Sequence, residues 1–446
     1  MEKVLNSIIK NIRTIRYFAS MNIVASALLF IAAMLAAVIA NSPWAPMYQE
    51  FLFQQVHFQI GDFNFFSHGD HTLTVLEFIN DGLMTLFFFT VGLEIKRELL
   101  VGELSSLRKA ILPFIAACGG MIFPVLIYIL ISPPGSEAGH GLAIPMATDI
   151  AFSLGVLSLL GKRVPLSLKI FLTAFAVVDD IGGIMVIATF YSSHVTLHYL
   201  LWAALLFLVL YFIGNRGATN KTFFLFVGLI IWYLFLQSGI HSTISGVILA
   251  FVIPAKPRLK VGKYIERIRH TINSFPISDK DDIVLTNKQI EKLKRVESAS
   301  DRVISPLQSL EDNLHIAVNY VILPLFAFAN AGVVFSNHGQ LIGDVTIAVA
   351  LGLLIGKLFG IFSFTWLAIK LKFATMPRGM NWRNIVGVAL LGGIGFTVSL
   401  FITNLSFGET QPVLLNQAKL GVLAGTVIAG LLGYIILYFV LPRHNK

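Results

Sequence analysis

Two adjacent acidic residues, Asp179 and Asp180, lie in the middle of the long apolar segment FLTAFAVVDDIGGIMVIATFY. A lone lysine, Lys357, lies centrally in another apolar segment, LLIGKLFGIF. An ionisable side chain at the centre of a membrane-spanning helix costs at least ~2.5–3.5 kcal/mol, so it marks a functional site by default. Two neighbouring carboxylates are tolerated there only if they are protonated, paired or bound to a cation.

This pair of aspartates can support exchange chemistry. Neighbouring residues on a helix do not face each other, so one aspartate can face an ion path while the other contacts Lys357 on another helix. Burial and nearby like charge favour the protonated form of a carboxyl group, so a proton and a cation can compete for the same oxygens. A structural ion pair with Lys357 would explain one aspartate but not the second.

The elements that carry these residues are membrane-spanning helices. Of the 446 residues, 56% are hydrophobic and 13% are charged, with a mean hydropathy of +0.78. Soluble domains are about 25% charged, so most of this surface must face lipid. Only helices and closed barrels satisfy their backbone in lipid, and period-2 alternation is missing from the long apolar runs. We predict an all-α polytopic protein with about twelve spans near 21–40, 77–95, 110–131, 142–160, 170–191, 198–213, 222–237, 239–253, 312–333, 345–369, 384–403 and 415–440.

The net charge of +9 reports orientation and gives no reason to expect a nucleic-acid partner. In this topology the Lys and Arg residues outside the spans all fall in loops on the side of the amino terminus. The opposite loops contain no Lys or Arg, and their charged residues are Asp and Glu. Positive loops stay in the cytoplasm, so both termini are expected to be cytoplasmic.

The predicted spans fall into two blocks, helices one to eight (21–253) and helices nine to twelve (312–440). Four longer stretches, before, within, between and after these blocks, belong to no span. Residues 1–20 are basic and amphipathic and should lie on the cytoplasmic surface; the apolar run that follows is too long for a signal peptide. Residues 41–76 are external, and VHFQIGDFNF predicts a short β-hairpin around a Gly-Asp turn. Residues 254–311 form a long basic cytoplasmic loop, which we interpret as a solvated connector, with a regulatory domain as the alternative. Residues 441–446 form a cytoplasmic tail.

Two spans are interrupted at corresponding positions of the two halves. LAIPMATDIAFSLG contains a proline followed by Thr148 and Asp149, and VGVALLGGIGFTVSL contains four glycines. Such interruptions point to the ion site of secondary transporters and predict that 110–191 is repeated in inverted topology as 345–440. If the two broken helices cross, Asp149 neutralises their positive ends and Lys357 their negative ends. Direct ligation of an ion by Asp149 is an equally open alternative.

A charged cluster follows at the cytoplasmic end of the second span. Glu94, Arg97 and Glu98 end that span, and Glu311 and His315 begin span nine. They are either an interfacial charge cluster or a funnel for ions, and a histidine can titrate near neutrality.

Two further polar residues lie near the outer ends of spans. Asp81, in INDGLMTLFF, is either a helix cap facing water or part of the ion path. His241, in SGIHSTISG, is either a packed polar residue or a residue that tunes the pH response.

Several of these segments together resemble the NhaA-type sodium/proton antiporters of bacteria: GLMTLFFFTVGLEIKREL, ATDIAFSLGVLSLLG, AVVDDIGGIMVIATFY, LPLFAFANAGV, GKLFGIF and GGIGFTVSLFI. The resemblance implies that Asp180 is the main Na⁺ ligand and that Asp179 is the proton-linked partner of Lys357. It places Thr148 and Asp149 in crossed unwound helices, with Thr148 also near Na⁺.

The resemblance also implies a secondary transporter that exchanges Na⁺, or Li⁺, for H⁺ across the bacterial inner membrane. Exchange would be electrogenic, activated at alkaline pH, and would need no cofactor besides the transported ions. A homodimer joined partly by the external hairpin is expected. The family's pH-responsive cluster falls on the cytoplasmic charges described above, but Asp312 replaces a histidine of well-known members.

Two other functions would use the same residues. Exchange of K⁺ for H⁺ would use the same site. An intramembrane aspartyl protease needs two aspartates on facing helices that share a water, which an adjacent pair fits poorly, and a Gly-x-Gly-Asp pattern is missing from the sequence. We therefore expect a transporter and not an enzyme.

Overall fold

The computed structural model describes most of the chain outside its termini. The described part is almost entirely helical, which confirms the predicted all-α membrane protein. The basic segment predicted over 1–20 and the end of the cytoplasmic tail lie outside the described residues. These residues are 23–60, 63–68, 71–191, 195–218, 220–256, 261–275, 286–335, 342–408 and 410–442.

Long apolar runs dictate the helices, because a spanning helix needs about 20 apolar residues. Nine helices in the described ranges are long and apolar enough to cross a membrane, and two further pairs of helices are each bent by 45° at a short break. With one shorter apolar helix, α9, they match the twelve predicted spans. The helices are α1 (Ile23–Ala40), α2 (Ala45–Phe53), α3 (Val75–Val101), α4 (Leu107–Ile131), α5 (Ile150–Leu159), α6 (Leu166–Phe190), α7 (Leu197–Asn215), α8 (Lys221–Ser238), α9 (Thr243–Val252), α10 (Val261–Asn273), α11 (Asn287–Val303), α12 (Pro306–Asn330), α13 (Asp344–Lys370), α14 (Trp382–Leu391), α15 (Phe396–Phe407) and α16 (Pro412–Val440).

The segment between α2 and α3, which is predicted to be external, contains two short antiparallel strand pairs. Strand β1 (Gln59–Ile60) pairs with β2 (Phe63–Asn64), and β3 (Ser67–His68) pairs with β4 (His71–Thr72). The Gly-Asp turn of the predicted hairpin lies outside the described residues. The segment rests on α8, where the ring of Phe65 stacks on Tyr233 at 5.1 Å between centroids.

Two sets of helices repeat the same succession of elements, a long helix, a broken pair and a second long helix. The first set is α4, the pair ending in α5, and α6; the second is α13, the pair α14 and α15, and α16. The first helices of the two sets, α4 and α13, cross at Gly119 and Gly360. A Cβ at either glycine would collide with the carbonyl oxygen of the other, so only small residues permit this approach.

The helices pack in two groups. The repeated sets pack mainly on each other and form the first group, whereas α3, α7, α8, α9 and α12 pack on one another and form the second. The groups meet where α3 contacts α6 and where α12 contacts α15. In the long loop, α10 and α11 pack together, and Lys292 donates a hydrogen bond of 2.8 Å to Ser274.

Candidate ion-binding site

The centre of the first group contains a buried ion pair. Lys357 Nζ lies 2.7 Å from Asp179 Oδ2, and both side chains are fully buried. Lys357 also donates a hydrogen bond of 3.0 Å to Thr148 Oγ1. It directly follows a π-helical turn in α13, Gly352–Gly356, and such turns are frequent at functional sites. The structure thus brings together three residues from separate parts of the sequence.

The two aspartates of α6 have different surroundings. Asp179 uses one oxygen for Lys357, and its other oxygen, Oδ1, is buried without a hydrogen-bond partner among the described residues. The side chain of Asp180 makes no hydrogen bond or ion pair to another described residue, and the residue is 7% exposed. A buried acceptor left without a donor costs ~1–3 kcal/mol, so these oxygens are available to a proton or a cation.

Asp180 opens towards the predicted cytoplasmic side. It lines a cavity of about 110 Å³ together with Thr148 and Asp149. Glu94 and His315, of the predicted cytoplasmic cluster, line the same cavity. The aspartate and the cluster are therefore connected by one cavity.

Asp149 holds the two broken helices together. It is the N-cap of α5, where Oδ1 accepts a hydrogen bond of 2.9 Å from the Phe152 amide. Its Oδ2 accepts hydrogen bonds from both the amide (3.1 Å) and the hydroxyl (2.7 Å) of Thr397, at the start of α15. One carboxylate thus serves two helix N-termini, where negative charge is stabilising. Because both oxygens are occupied, the geometry favours the structural role of Asp149 over direct ligation.

The breaks themselves are also hydrogen-bonded to each other. The Asp149 amide donates to the Ile394 carbonyl at 2.6 Å, and Thr148 Oγ1 donates to the Gly392 carbonyl at 2.7 Å. Lys357 is connected through Thr148 to the carboxyl end of α14, where positive charge is stabilising.

The cytoplasmic cluster is assembled around Arg97. The Arg97 guanidinium lies 3.0 Å from Glu98 and 3.1 Å from Glu311. Arg97 and Glu98 both belong to α3 and Glu311 belongs to α12, so the pair of Arg97 and Glu311 connects the two helices at the ends predicted to be cytoplasmic. His315 is one turn along α12, in contact with the Asn319 amide at 3.1 Å.

A larger cavity of about 730 Å³ lies at the predicted outer ends of the helices and is lined by Asp81 and His241. The His241 imidazole lies 3.4 Å from the Asp81 carboxylate. The prediction that Asp81 caps a helix is wrong. Thr74 directly precedes α3 and caps it instead, in a capping box with Glu77 of the first turn, whereas Asp81 lies inside the helix.

Aromatic side chains separate the two cavities. The Phe401 ring lies 5.6 Å from that of Phe88 and 6.3 Å from that of Phe326, between centroids. Phe401 lines the outer cavity, whereas Thr397, one turn earlier on α15, lines the inner one. Of these two cavities among the described residues, Asp180 lines the inner one and not the outer one.

Two sets of polar residues escaped prediction. Thr397 binds Asp149, and its only sequence signal is a polar residue just after the glycine-rich break. Asn80, Asn330 and Asn404 are hydrogen-bonded to one another across three helices. Neutral amides do not stand out in a hydropathy pattern, and nothing local indicates which amides will meet.

Comparison with known proteins identifies the family. The sequence model of the family described as Na⁺/H⁺ antiporter 1 matches residues 16–437. Similar proteins include the Na(+)/H(+) antiporter NhaA of Bacteroides fragilis, 74% identical over 97% of this chain and 99% of the relative. The Na(+)/H(+) antiporter NhaA of Bacteroides thetaiotaomicron is 74% identical over 98% of this chain and 99% of the relative. The Na(+)/H(+) antiporter NhaA of Porphyromonas gingivalis is 44% identical over 94% of this chain and 94% of the relative. This multi-pass membrane protein therefore belongs to the NhaA family of Na⁺/H⁺ antiporters, which are secondary transporters and not enzymes.

Proposed function

We propose that this protein exchanges Na⁺, with Li⁺ as an alternative substrate, for H⁺. The observation that carries the proposal is the pair of mid-helix aspartates, of which Asp180 borders a cavity and Asp179 has one unused oxygen. Alkali cations are hard ions that prefer carboxylate, hydroxyl and carbonyl oxygens. Asp180, Asp179 and Thr148 supply such oxygens within one buried region.

The exchange follows from charge balance. With both aspartates ionised, Lys357 balances one negative charge and a bound Na⁺ balances the other. A proton on Asp180 leaves Asp179 and Lys357 balanced by each other, so a Na⁺ at the site would then be an uncompensated cation, which is strongly disfavoured in this surrounding. If one Na⁺ displaces two protons, each cycle moves one net charge, which makes the exchange electrogenic.

Alternating access then needs the site to communicate with each cavity in turn. The site residues belong to the first group of helices, whereas the inner cavity is also lined by Glu94 of α3 and His315 of α12, in the second group. A relative movement of the two groups would close the inner cavity and connect the site to the outer cavity. The aromatic contact around Phe401 must open in that movement.

The remaining expectations belong to the same proposal. We place the protein in the bacterial inner membrane with both termini in the cytoplasm, because the basic loops lie on one side. The cluster of Glu94, Arg97, Glu98, Glu311 and His315 would respond to cytoplasmic pH, since two of its members, Glu94 and His315, line the cavity that Asp180 borders. His241, which lies beside Asp81, would make exchange respond to pH on the outer side of the membrane. A homodimer would form partly through the external strands.

The test is Na⁺-induced collapse of a pH gradient in everted membrane vesicles that contain the wild type or Asp180→Asn. We expect the variant to lose exchange at every pH tested, because the cation site loses a negative charge. Asp344→Asn, the same change at the outer start of α13, serves as the matched control and should exchange normally. Normal activity of Asp180→Asn would remove the proposed site, and a response to K⁺ equal to that for Na⁺ would replace the proposed substrate.

A further inference from the structure

Three asparagine side chains, here called the amide chain, join three helices by direct hydrogen bonds. Asn330 Nδ2 donates to Asn80 Oδ1 at 2.9 Å, and Asn404 Nδ2 donates to Asn330 Oδ1 at 2.5 Å. Asn330, the last residue of α12, is fully buried. The two donating amides also bond to their own helices, at the carbonyls of Phe326 (2.9 Å) and Leu400 (3.1 Å). These second bonds fix the orientation of both side chains.

The amide chain lies at the floor of the outer cavity. Asn80 and Asn404 both line that cavity. On α15, Asn404 is one turn outward from Phe401, whose ring contacts Phe88 and Phe326 between the two cavities. Asn330 is likewise one turn outward from Phe326, which contacts the Phe401 ring. The hydrogen bond between Asn404 and Asn330 therefore joins α15 to α12, the same two helices that the Phe401 and Phe326 rings join one turn deeper.

The bond between Asn404 and Asn330 also crosses the boundary between the two groups of helices. Asn80 on α3 and Asn330 on α12 belong to the second group, whereas α15 belongs to the first. Asp149, the N-cap of α5, binds α15 at Thr397, so α15 is held to the broken helix pair that also carries Thr148 of the site. Any movement that opens the outer cavity to Asp180 must separate α15 from α12, and it must break this bond.

We propose that the amide chain is an outer latch, which stabilises the state closed to the outside and opens once in each transport cycle. This rests on the proposed function only in requiring that the site open to both sides. A neutral hydrogen bond has a modest net value, so its loss should change the ratio of closed to open states by about two- to tenfold. Because amides do not titrate and carry no charge, the latch should act equally with or without Na⁺ and across the working pH range.

The latch can be tested by thiol labelling from the outside of intact cells. Ile184, one turn outward from Asp180, packs with Phe88 and Thr243 between the two cavities. In a Cys118→Ser background, Ile184→Cys should react slowly with a membrane-impermeant maleimide, since the outer side is closed. Adding Asn404→Leu should increase the labelling rate about two- to tenfold.

Ser406→Ala is the matched control for the latch. It removes the 2.9 Å contact between Ser406 and Tyr191, which connects α15 to the end of α6 within the first group. This variant should leave the labelling rate unchanged. Asn330→Leu should act like Asn404→Leu, and the double variant should label no faster than the faster single one, because only one bond across the boundary is lost.

An unchanged labelling rate in Asn404→Leu, or rates that multiply in the double variant, would overturn the latch. Asn404→Ser, which cannot reach Asn330, provides the same comparison if the leucine variant does not accumulate in the membrane. Labelling is measured without Na⁺ flux, so its outcome is separate from the vesicle assay. Loss of the proposed Na⁺ exchange would leave a positive labelling result standing, and failure of the latch would leave the exchange standing.

Discussion

The ion pair between Lys357 and Asp179 gives the sharpest energetic prediction. Both side chains are fully buried and 2.7 Å apart, and the Lys357 ammonium also lies 5.6 Å from the centre of the Phe175 ring. Lys357→Met keeps the length of the side chain and removes its charge. Asp179 would then be left as an uncompensated carboxylate in the protein interior.

The expected loss of stability is about 3–5 kcal/mol, the usual cost of removing one partner of a buried ion pair. Thr148 should add little to this loss, because its hydroxyl still donates to the Gly392 carbonyl. Most of this loss of stability comes from the Asp179 carboxylate that is left buried without a partner, and little of it comes from the lost attraction within the pair. The double variant Lys357→Met with Asp179→Asn should therefore recover about 2–4 kcal/mol.

The measurement is the thermal unfolding midpoint of purified protein in detergent. Wild type and the double variant should unfold at higher temperature than Lys357→Met. Lys370→Met is the control, because Lys370 lies at the end of the same helix with its ammonium 4.3 Å from the Trp366 ring centre. Such an exposed cation–π contact is worth about 0.5–1 kcal/mol, so the control should unfold near the wild type. A double variant less stable than Lys357→Met would refute the reasoning.

Three further predictions concern the framework of the site. Asp149→Ala removes the cap shared by α5 and α15 and should cost about 1–2 kcal/mol at each helix, whereas Thr397→Val should cost less; unfolding midpoints check the order. Gly360→Val should abolish accumulation in the membrane, measured as protein yield, because its Cβ meets the Gly119 carbonyl. Arg97→Met should leave stability within about 1 kcal/mol of wild type but shift the pH profile of exchange in vesicles to alkaline values, because the lost charge stabilised ionised carboxylates.

The parts of this structure that were predictable are those that conflict with a lipid surrounding. A charge, a proline or a run of glycines stands out within an apolar helix, because each is costly or disruptive there. Asp179, Asp180 and Lys357 were found in this way, as was the break at Thr148 and Asp149. Their meeting at one place follows from the paired breaks, since two interrupted helices in corresponding positions point to one site.

The parts that were missed depend on contacts between distant segments. Asn80 and Asn330 are separated by 250 positions, and Asn330 and Asn404 by 74, so only the helix packing brings them together. Asp81 was a different kind of miss. The capping box of Thr74 and Glu77 was readable in the sequence as T-x-x-E, and it excluded Asp81 from the cap position.

The four buried charges of the site differ in how much of their bonding capacity the fold already uses. Asp149 uses both oxygens on two helix N-termini. Asp179 uses one oxygen on Lys357, and Asp180 uses none on any described residue. In the proposed exchange, Na⁺ and H⁺ would compete for the oxygens that the protein has left unpaired, on Asp180 and Asp179. Both oxygens of Asp149 are occupied by the two helix N-termini, and Lys357 is a cation that occupies one oxygen of Asp179, so neither residue offers a free oxygen to an ion.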